Sequence, residues 1–335
     1  MFFPLIAIDE FEIDNVFSNL ELDESTKLKD LKEKDRVNLQ KLPFVTIDGK
    51  DAKDFDDAVF AEQIDDKNWR IIVSIADVSF YIKEDSHLDK KAKKRGNSIY
   101  LPNMVIPMFP EIISNQLCSL RENEKKLCFS VEIIINNKGE KISHKFFKST
   151  IKSKKRFNYQ EVQELIDLNF EKKNTYDKSI NLNIKNLYQV YKVLKKQSLS
   201  RSALDLKIGE KKIFFNDNGQ ASYVQNISSL ESHELIEELM ILANVCAAEE
   251  IEKIDKNNVY RIHEKPSSEK INSLINSIGK PYDKILKNGP ITPSKFNLLI
   301  KKYKNLNDID LLNQLILRSQ SQAKYYNVNN GHFGL

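Results

Sequence analysis

Five aspartates occupy ten consecutive residues of this chain, from position 48 to position 57, and apolar runs at 44–47 and 58–60 bracket them. Like charges at this spacing repel one another, and withdrawing any of them from water adds a desolvation cost. A hard divalent cation is the usual remedy. The run therefore predicts two core strands joined by a loop that carries chemistry. The members of this acidic loop are Asp48, Asp51, Asp54, Asp56 and Asp57.

The order of periodic segments predicts the fold class. Strand patterns fill the first half of the chain, and helical spacing of apolar residues begins after residue 157. This order predicts a mixed α/β (α+β) fold in which helices of the C-terminal half pack on a mixed sheet. Strands are predicted at 44–47, 58–62, 70–76, 129–135 and 141–147, a hairpin at 212–224, helices at 159–168, 184–194 and 232–253 with Ser232 as N-cap, and two or three helices within 267–326.

Composition excludes several classes of protein. At 41% hydrophobic and 30% charged residues, the chain of 335 residues is globular rather than disordered. Its three cysteines have no Cys-x-x-Cys spacing, which argues against a zinc site or disulfide framework and favours a cytoplasmic location. No apolar run approaches the roughly 20 residues of a membrane span. The apolar start lacks a preceding basic region, so residues 4–8 are interpreted as a strand rather than a signal peptide.

The acidic loop admits few explanations. A calcium-binding EF-hand loop beginning at Asp48 would need Gly and Glu where the chain has Lys53 and Val59. Glycosidases need two carboxylates on opposite sides of a sugar, not several in one loop. A solvated acidic turn remains an alternative, although the apolar flanks argue for burial. An octahedral oxygen site for Mg²⁺ or Mn²⁺, in which two ions serve phosphodiester hydrolysis, accounts for the pattern.

Seven segments resemble, in order, the blocks of the ribonuclease II/R family, whose members share the RNB catalytic domain. The resemblance covers about residues 36–335 and is greatest to the ribonuclease R branch. It implies a hydrolytic 3′-to-5′ exoribonuclease that degrades single-stranded RNA to 5′-nucleoside monophosphates. The segments are 42–59 (LPFVTIDGKDAKDFDDAV), 73–79 (VSIADVS), 100–108 (YLPNMVIPM), 117–120 (LCSL), 237–244 (EELMILAN), 261–266 (RIHEKP) and 331–335 (GHFGL).

The resemblance also implies roles for individual aspartates. Asp48 and Asp57 match the metal-liganding positions, Asp54 a further acidic ligand, and Asp56 the aspartate most needed for cleavage. Asp54 and Asp56 are therefore the expected catalytic residues, and all four are expected to bind Mg²⁺, with Mn²⁺ as an alternative. Asp51 is expected to lie outside the site.

Five further residues are expected to contact RNA. Tyr100 matches a tyrosine that packs on the terminal nucleotide, and stacking of this kind is worth ~1–3 kcal/mol per base. Leu206 stands where the family often has an opposing aromatic residue. Glu238 matches a residue near the RNA path, and Lys93 and Arg95 belong to a compact basic stretch.

Other motifs are less specific. The run 141–156 contains seven Lys or Arg among phenylalanines, which suits RNA or a solvated strand edge equally. His263 and His332 have no general-base spacing and are expected to be structural.

The resemblance finally implies the domain limits. Residues 1–35 are expected to be the remnant of a cold-shock-like barrel with a linker, and residues 36–335 an RNB domain that is incomplete at its C-terminus. The family continues with a Ser/Thr-Pro-Ile-Arg-Arg-Tyr segment, whose arginine contacts a phosphate, after the point matching Leu335. Two alternatives to a metal-dependent exoribonuclease remain: an inactive RNA-binding remnant, and a structural metal site in an unrelated fold. A monomer that binds single-stranded RNA and no membrane is expected.

Overall fold

A computed structural model describes residues 3–28, 35–101, 104–170, 176–206, 209–216, 220–254, 258–280, 282–303 and 308–335. The strands are β1 (Val37–Asn38), β2 (Val45–Asp48), β3 (Asp57–Gln63), β4 (Asn68–Ala76), β5 (Ile99–Leu101), β6 (Met104–Ile106), β7 (Lys125–Asn136), β8 (Lys141–Lys152), β9 (Lys155–Asn158), β10 (Glu210–Phe215), β11 (Ala221–Ile227), β12 (Tyr260–Ile262) and β13 (Lys324–Tyr326). The helices are α1 (Phe3–Glu10), α2 (Asn19–Lys27), α3 (Val78–Tyr81), α4 (His87–Arg95), a π-helix (Ile112–Leu117), α5 (Tyr159–Asp167), α6 (Lys178–Ser200), α7 (Glu231–Ile254), α8 (Ser268–Ile278), α9 (Asp283–Lys287), α10 (Pro293–Tyr303) and α11 (Ile309–Ser319).

A mixed sheet organises the described part of the chain. Seven strands lie in the order β1-β8-β7-β4-β3-β2-β9, with antiparallel pairs in the middle and parallel pairs at both edges. The apolar core covers both faces, because successive side chains of a strand point to opposite sides. Val59 and Ala61 face α5, α6 and α7, whereas Ala58 and Phe60 face the cluster that contains Tyr81 of α3. The predicted mixed α/β fold is confirmed.

An asparagine of α6 bonds to the backbone of β3 and to the backbone just before β2. The two strands pair at Val45 and Val59, near the start of β2. Beyond that pair, the Asn183 side chain accepts from the Ala61 amide at 2.9 Å and donates to the Pro43 carbonyl at 2.8 Å. These buried bonds satisfy backbone groups that would otherwise lack a partner strand. Asn183 therefore ties α6 to β3 and to the segment that enters β2, on the side of the Val45–Val59 pair that lies away from the acidic loop.

The C-terminal helices enclose a separate apolar cluster. Phe296, Leu299 and Ile316 are fully buried within it. Leu204 and Leu206 from the preceding segment pack against the same cluster. The Asn297 side chain ties this segment down by donating to the Ala203 carbonyl at 2.7 Å. None of the described helices is long and apolar enough to cross a membrane.

Three local predictions are wrong. The strand expected at residues 4–8 lies inside helix α1, and a helix supplies its own backbone hydrogen bonds where a lone strand cannot. Ser232 is inside α7 rather than its N-cap, and its hydroxyl donates to the Tyr159 carbonyl. Four helices, not two or three, occupy the described parts of 267–326. The domain boundary near residue 35 remains a prediction.

Candidate active site

The acidic loop joins the C-terminal end of β2 to the start of β3. Asp48 is the last residue of β2 and Asp57 the first residue of β3. In the parallel pair of β2 with β9, Asp48 lies beside Asn158, immediately before α5 begins. Asp54 and Asp56 lie in the connection, and the Asp56 carbonyl accepts from the Ala76 amide at 2.9 Å. The sheet therefore brings together the four aspartates predicted to form the site.

Three of these carboxyl groups have strongly raised pKa values. Burial, followed by the charges of Asp57 and Asp56, raises the pKa of Asp48 to about 7, although Arg156 opposes the shift. Burial and the charge of Asp56 raise the pKa of Asp57 to about 6. The Asp56 side chain reaches solvent, yet the surrounding protein and then Asp54 raise its pKa to about 6. The loop therefore holds negative charge that the chain itself does not neutralise.

Two buried oxygen atoms identify where a cation fits. The Oδ2 atoms of Asp48 and Asp57 are buried, and neither has a hydrogen-bond partner within the described residues. A buried carboxylate oxygen without a donor is costly. Hard oxygen donors that repel one another suit Mg²⁺ or Mn²⁺. No three His, Cys, Asp or Glu side chains among the described residues already stand in a metal-binding arrangement. The donor set therefore fits the ion chemically, and the carboxylates must adjust to bind it.

An arginine anchors the first half of the loop. Arg156 of β9 donates from its Nη2 atom to the Gly49 carbonyl at 2.6 Å and the Lys50 carbonyl at 2.9 Å. Its guanidinium also lies over the Phe55 ring, 5.3 Å from the ring centre. One side chain thus holds two separate points of the loop to the edge strand of the sheet.

Tyr100 is joined to the acidic loop by a hydrogen bond. Its hydroxyl donates to Oδ2 of Asp54 at 2.8 Å, although the two residues are 46 positions apart. The tyrosine stands on β5 with 65% of its surface exposed. Burial of the phenol and the bond to Asp54 raise its pKa to about 12, so it stays a donor. The arrangement orients Asp54 and leaves a face of the ring open to a ligand.

A cavity of about 500 Å³ opens at Tyr159, the residue after Asn158, which pairs with Asp48. Leu206 lines it, together with Tyr159, His233, Glu234 and Lys195. The charges of Asp48 and Asp57 contribute to the raised pKa of Tyr159, about 12, after burial as the main cause. Tyr159 therefore connects the cavity to the acidic loop.

The ring of Tyr159 is stacked on that of His233, with 3.9 Å between ring centres. His233 is itself fixed at the start of α7, where its Nδ1 atom accepts from the Leu230 amide at 3.1 Å. This bond resembles the side-chain half of a helix capping box.

The remaining predicted RNA contacts fall in different places. Glu238 is half-buried and lines another cavity with Arg201 and Leu242, so the structure separates it from Leu206. Its neighbours Glu234 and Glu237 line the cavity beside Leu206 instead.

The basic stretch on α4 is divided between a surface residue and a buried one. Lys93 is exposed, and its Nζ atom pairs with Asp89 at 2.8 Å. Arg95 is only 4% exposed, and it bonds to the Val16 carbonyl at 3.0 Å and stacks over Phe17 at 3.9 Å. The contact of Arg95 with RNA stays a prediction, and in this structure its guanidinium is buried against residues 14–17.

Sequence reasoning missed Tyr159, His233, Lys195 and Arg156. A lone aromatic or basic residue carries no motif of its own, and these four gain meaning only from their neighbours in space. Arg156 lies in the basic run 141–156 that was noted above, but its contact is with loop carbonyls. Its position three residues before the helix at 159–168 is the signal that could have singled it out.

Without a divalent cation, the protein should lose stability as the pH rises. The Asp48 pKa of about 7 lies above its unfolded value of 3.8, so its protonation stabilises the folded state below about pH 4. That contribution falls as the pH passes from about 4 to about 7, and Asp56 and Asp57 act in the same direction. After discounting for partial exposure, we expect the free energy of unfolding of metal-free Asp48→Asn to exceed that of the parent by roughly 1–3 kcal/mol at pH 7.5.

Thermal unfolding with and without Mg²⁺ checks this expectation. The Tm of the parent chain should rise on addition of Mg²⁺ at pH 7.5, and the Tm of Asp48→Asn should rise much less. Parallel pH profiles for the two proteins between pH 4 and 8 in chelator would contradict the assignment of Asp48.

Comparison with known proteins places these features in a family. The model of the RNB domain matches residues 36–335. Ribonuclease R of Vibrio parahaemolyticus is 37% identical over 300 residues, which are 90% of this chain and 36% of that protein. Ribonuclease R of Thermotoga maritima is 38% identical over 301 residues, 90% of this chain and 42% of the relative. The chain thus spans about two fifths of the length of these curated relatives.

Solved structures agree with this comparison. Mycoplasma genitalium RNase R in complex with ribose methylated single-stranded RNA superposes with a TM-score of 0.89 and 28% identity, over 99% of this chain and 53% of that one. Yeast Ssd1, described as a pseudonuclease, shares the fold with a TM-score of 0.69 and 17% identity, over 92% of this chain and 37% of that one. The fold therefore occurs in a ribonuclease and in a pseudonuclease, so the fold alone does not indicate activity.

Proposed function

The chain belongs to the RNB domain family, and on that premise we propose that it is a hydrolytic 3′-to-5′ exoribonuclease acting on single-stranded RNA. The products of the proposed reaction are 5′-nucleoside monophosphates. The single observation that carries the proposal is the acidic loop, where Asp48 and Asp57 interact electrostatically and each has a buried oxygen without a hydrogen-bond partner among the described residues. A folded protein tolerates such uncompensated charge when the site binds a cation in its working state.

The proposed cofactor is Mg²⁺, with Mn²⁺ as an alternative, held by Asp48, Asp54, Asp56 and Asp57 in a two-ion site. When bound, the metal would supply Lewis-acid chemistry that stabilises negative charge on the reacting phosphate. Asp48 and Asp57 are fixed by the strands that they end and begin. Asp54 and Asp56 lie on the loop between them, where their carboxylates can shift toward the ligand.

The other groups of the site are suited to hold RNA. The exposed ring of Tyr100 offers a stacking surface at the loop, while its hydroxyl keeps Asp54 in place. Leu206 and Tyr159 line the neighbouring cavity, whose volume of about 500 Å³ accommodates a nucleotide. Lys195 lies there between Asp205 at 3.5 Å and Glu234 at 3.2 Å. Stacking on an aromatic face does not depend on base identity, so we expect little sequence preference.

A second candidate is an RNA-binding protein without nuclease activity. Two observations favour it: the described residues hold no preformed three-ligand metal arrangement, and a pseudonuclease has the same fold. Such a protein would bind RNA through the same surface but would not hydrolyse it.

One assay separates the two candidates. The purified chain is incubated with Mg²⁺ and single-stranded RNA carrying a label at its 3′ end. The proposal predicts that labelled mononucleotide appears first, that it carries a 5′ phosphate, and that chelator stops the reaction. A folded sample that binds the RNA with salt-dependent affinity but releases no mononucleotide would instead identify the RNA-binding protein.

A further inference from the structure

Ser119 lies against the second half of the acidic loop and is completely buried. Its hydroxyl donates to the Lys53 carbonyl at 2.8 Å and accepts from the Phe55 amide at 3.1 Å. The two peptide groups that it contacts flank Asp54 on either side. The adjoining Leu120 amide donates to the Phe55 carbonyl at 2.8 Å, which aligns the two segments.

A serine hydroxyl has one donor proton and two acceptor lone pairs, so a single side chain can serve both peptide groups. The segment that carries Ser119 is buried, since Cys118 is 4% exposed and Leu120 is 0% exposed. It follows the π-helix, whose Gln116 carbonyl accepts from the nearly buried Lys126 ammonium. Short π-helical segments recur at functional sites. The two hydrogen bonds of this hydroxyl therefore fix the loop relative to the buried segment.

Asp54 is thereby held both at its backbone and at its carboxylate. Ser119 fixes its backbone, and the Tyr100 hydroxyl holds its Oδ2 atom at 2.8 Å. Arg156 holds the loop at Gly49 and Lys50, but its bonds stop short of Asp54. The geometry points to Ser119 as a positioning residue that sets where Asp54 stands relative to Asp48 and Asp57. This inference rests on the proposed nuclease function for its kinetic consequence.

The central experiment compares Ser119→Ala with Ser149→Ala. Ser149 is an equally buried serine on β8 whose hydroxyl pairs with that of Ser130 at 2.6 Å in the sheet. Both changes remove one buried hydroxyl, so both should lower the Tm. Only Ser119→Ala should lower kcat, by about 10- to 100-fold, with KM within about twofold, because a small misplacement of a reacting group is costly.

Two measurements do not depend on nuclease activity. The Phe55 amide should exchange its hydrogen about 10- to 100-fold faster in Ser119→Ala than in the parent, because it loses its acceptor. Binding of Mn²⁺, followed by electron paramagnetic resonance, should weaken in the same variant. Neither quantity should change in Ser149→Ala. If the parent itself releases no nucleotides, the proposed function fails, while these two measurements still test the role of Ser119.

A matched pair covers the case in which Ser119→Ala does not fold. Ser119→Thr and Ser119→Val have nearly the same shape and differ by the hydroxyl. The threonine variant should exceed the valine variant in kcat and in protection of the Phe55 amide. The inference would be overturned if Ser119→Ala equalled Ser149→Ala, or if Ser119→Thr equalled Ser119→Val, in both kcat and protection of the Phe55 amide. Ser119 would then be an ordinary core residue.

Discussion

Replacing Asp56 by asparagine is expected to lower kcat for RNA hydrolysis by about 10²- to 10³-fold while the chain stays folded and binds RNA. The substitution keeps the shape of the side chain but removes one charge from a group of carboxylates that repel one another. Because that repulsion is relieved, the Tm in the absence of metal should not fall. Mononucleotide release and RNA binding by fluorescence anisotropy, measured on the same sample, check both parts.

Asp51→Asn is the matched control for this substitution. Asp51 belongs to the same loop, but its side chain is 80% exposed and pairs with Lys212 at 3.1 Å. Asp51→Asn also removes one negative charge from the acidic loop, and it should retain activity within about twofold. A loss of activity that is equal in the two variants would mean that the net charge of the loop, rather than a role of Asp56, governs the rate.

Replacing Arg36 by alanine is expected to cost about 3–5 kcal/mol of unfolding free energy. Arg36 and Asp77 form an ion pair at 2.6 Å in which each side chain is 3% exposed. The guanidinium also donates to the Cys128 carbonyl at 3.1 Å. Its loss leaves the buried Asp77 carboxylate without a cationic partner, with the Ser79 hydroxyl as a remaining donor at 2.9 Å. The ion pair ties the first residue matched by the RNB domain model to the segment that follows β4. Urea unfolding measures the loss.

Two further variants test the origin of this effect. Lys253→Ala removes an exposed ion pair with Glu250 and should leave the unfolding midpoint almost unchanged. The double variant Arg36→Ala, Asp77→Ala removes both buried charges and should be more stable than Arg36→Ala with Asp77 intact. Additive losses in the double variant would show that the cost arises from packing rather than from an isolated buried charge.

The sequence predicted the sheet and the acidic loop because both depend on short-range patterns. Apolar runs on either side of the aspartates indicated two strands, and the structure places Asp48 and Asp57 at their facing ends. Segments resembling family blocks then led to Tyr100, which the fold brings within hydrogen-bond distance of Asp54.

Sequence patterns were insufficient where distant residues decide the outcome. Arg95 ends a row of basic residues, and the sequence does not show that Asp14 and Phe17 cover its side chain. Residues 4–8 form a short apolar run, which periodicity cannot assign to strand or helix. Glu237 and Glu238 are adjacent in sequence, so one helical step of 100° decides which of them faces the cavity.

The cavity beside the acidic loop has walls that belong to two different cores. Tyr159 packs with the apolar cluster of the sheet, whereas Leu206 packs with the cluster of the C-terminal helices. Under the proposed function, the gap that would admit a base is the seam between these two apolar clusters. Changes at that seam can widen or narrow the gap without touching a carboxylate. Under the same proposal, the size of substrate that fits and the binding of the metal depend on different residues.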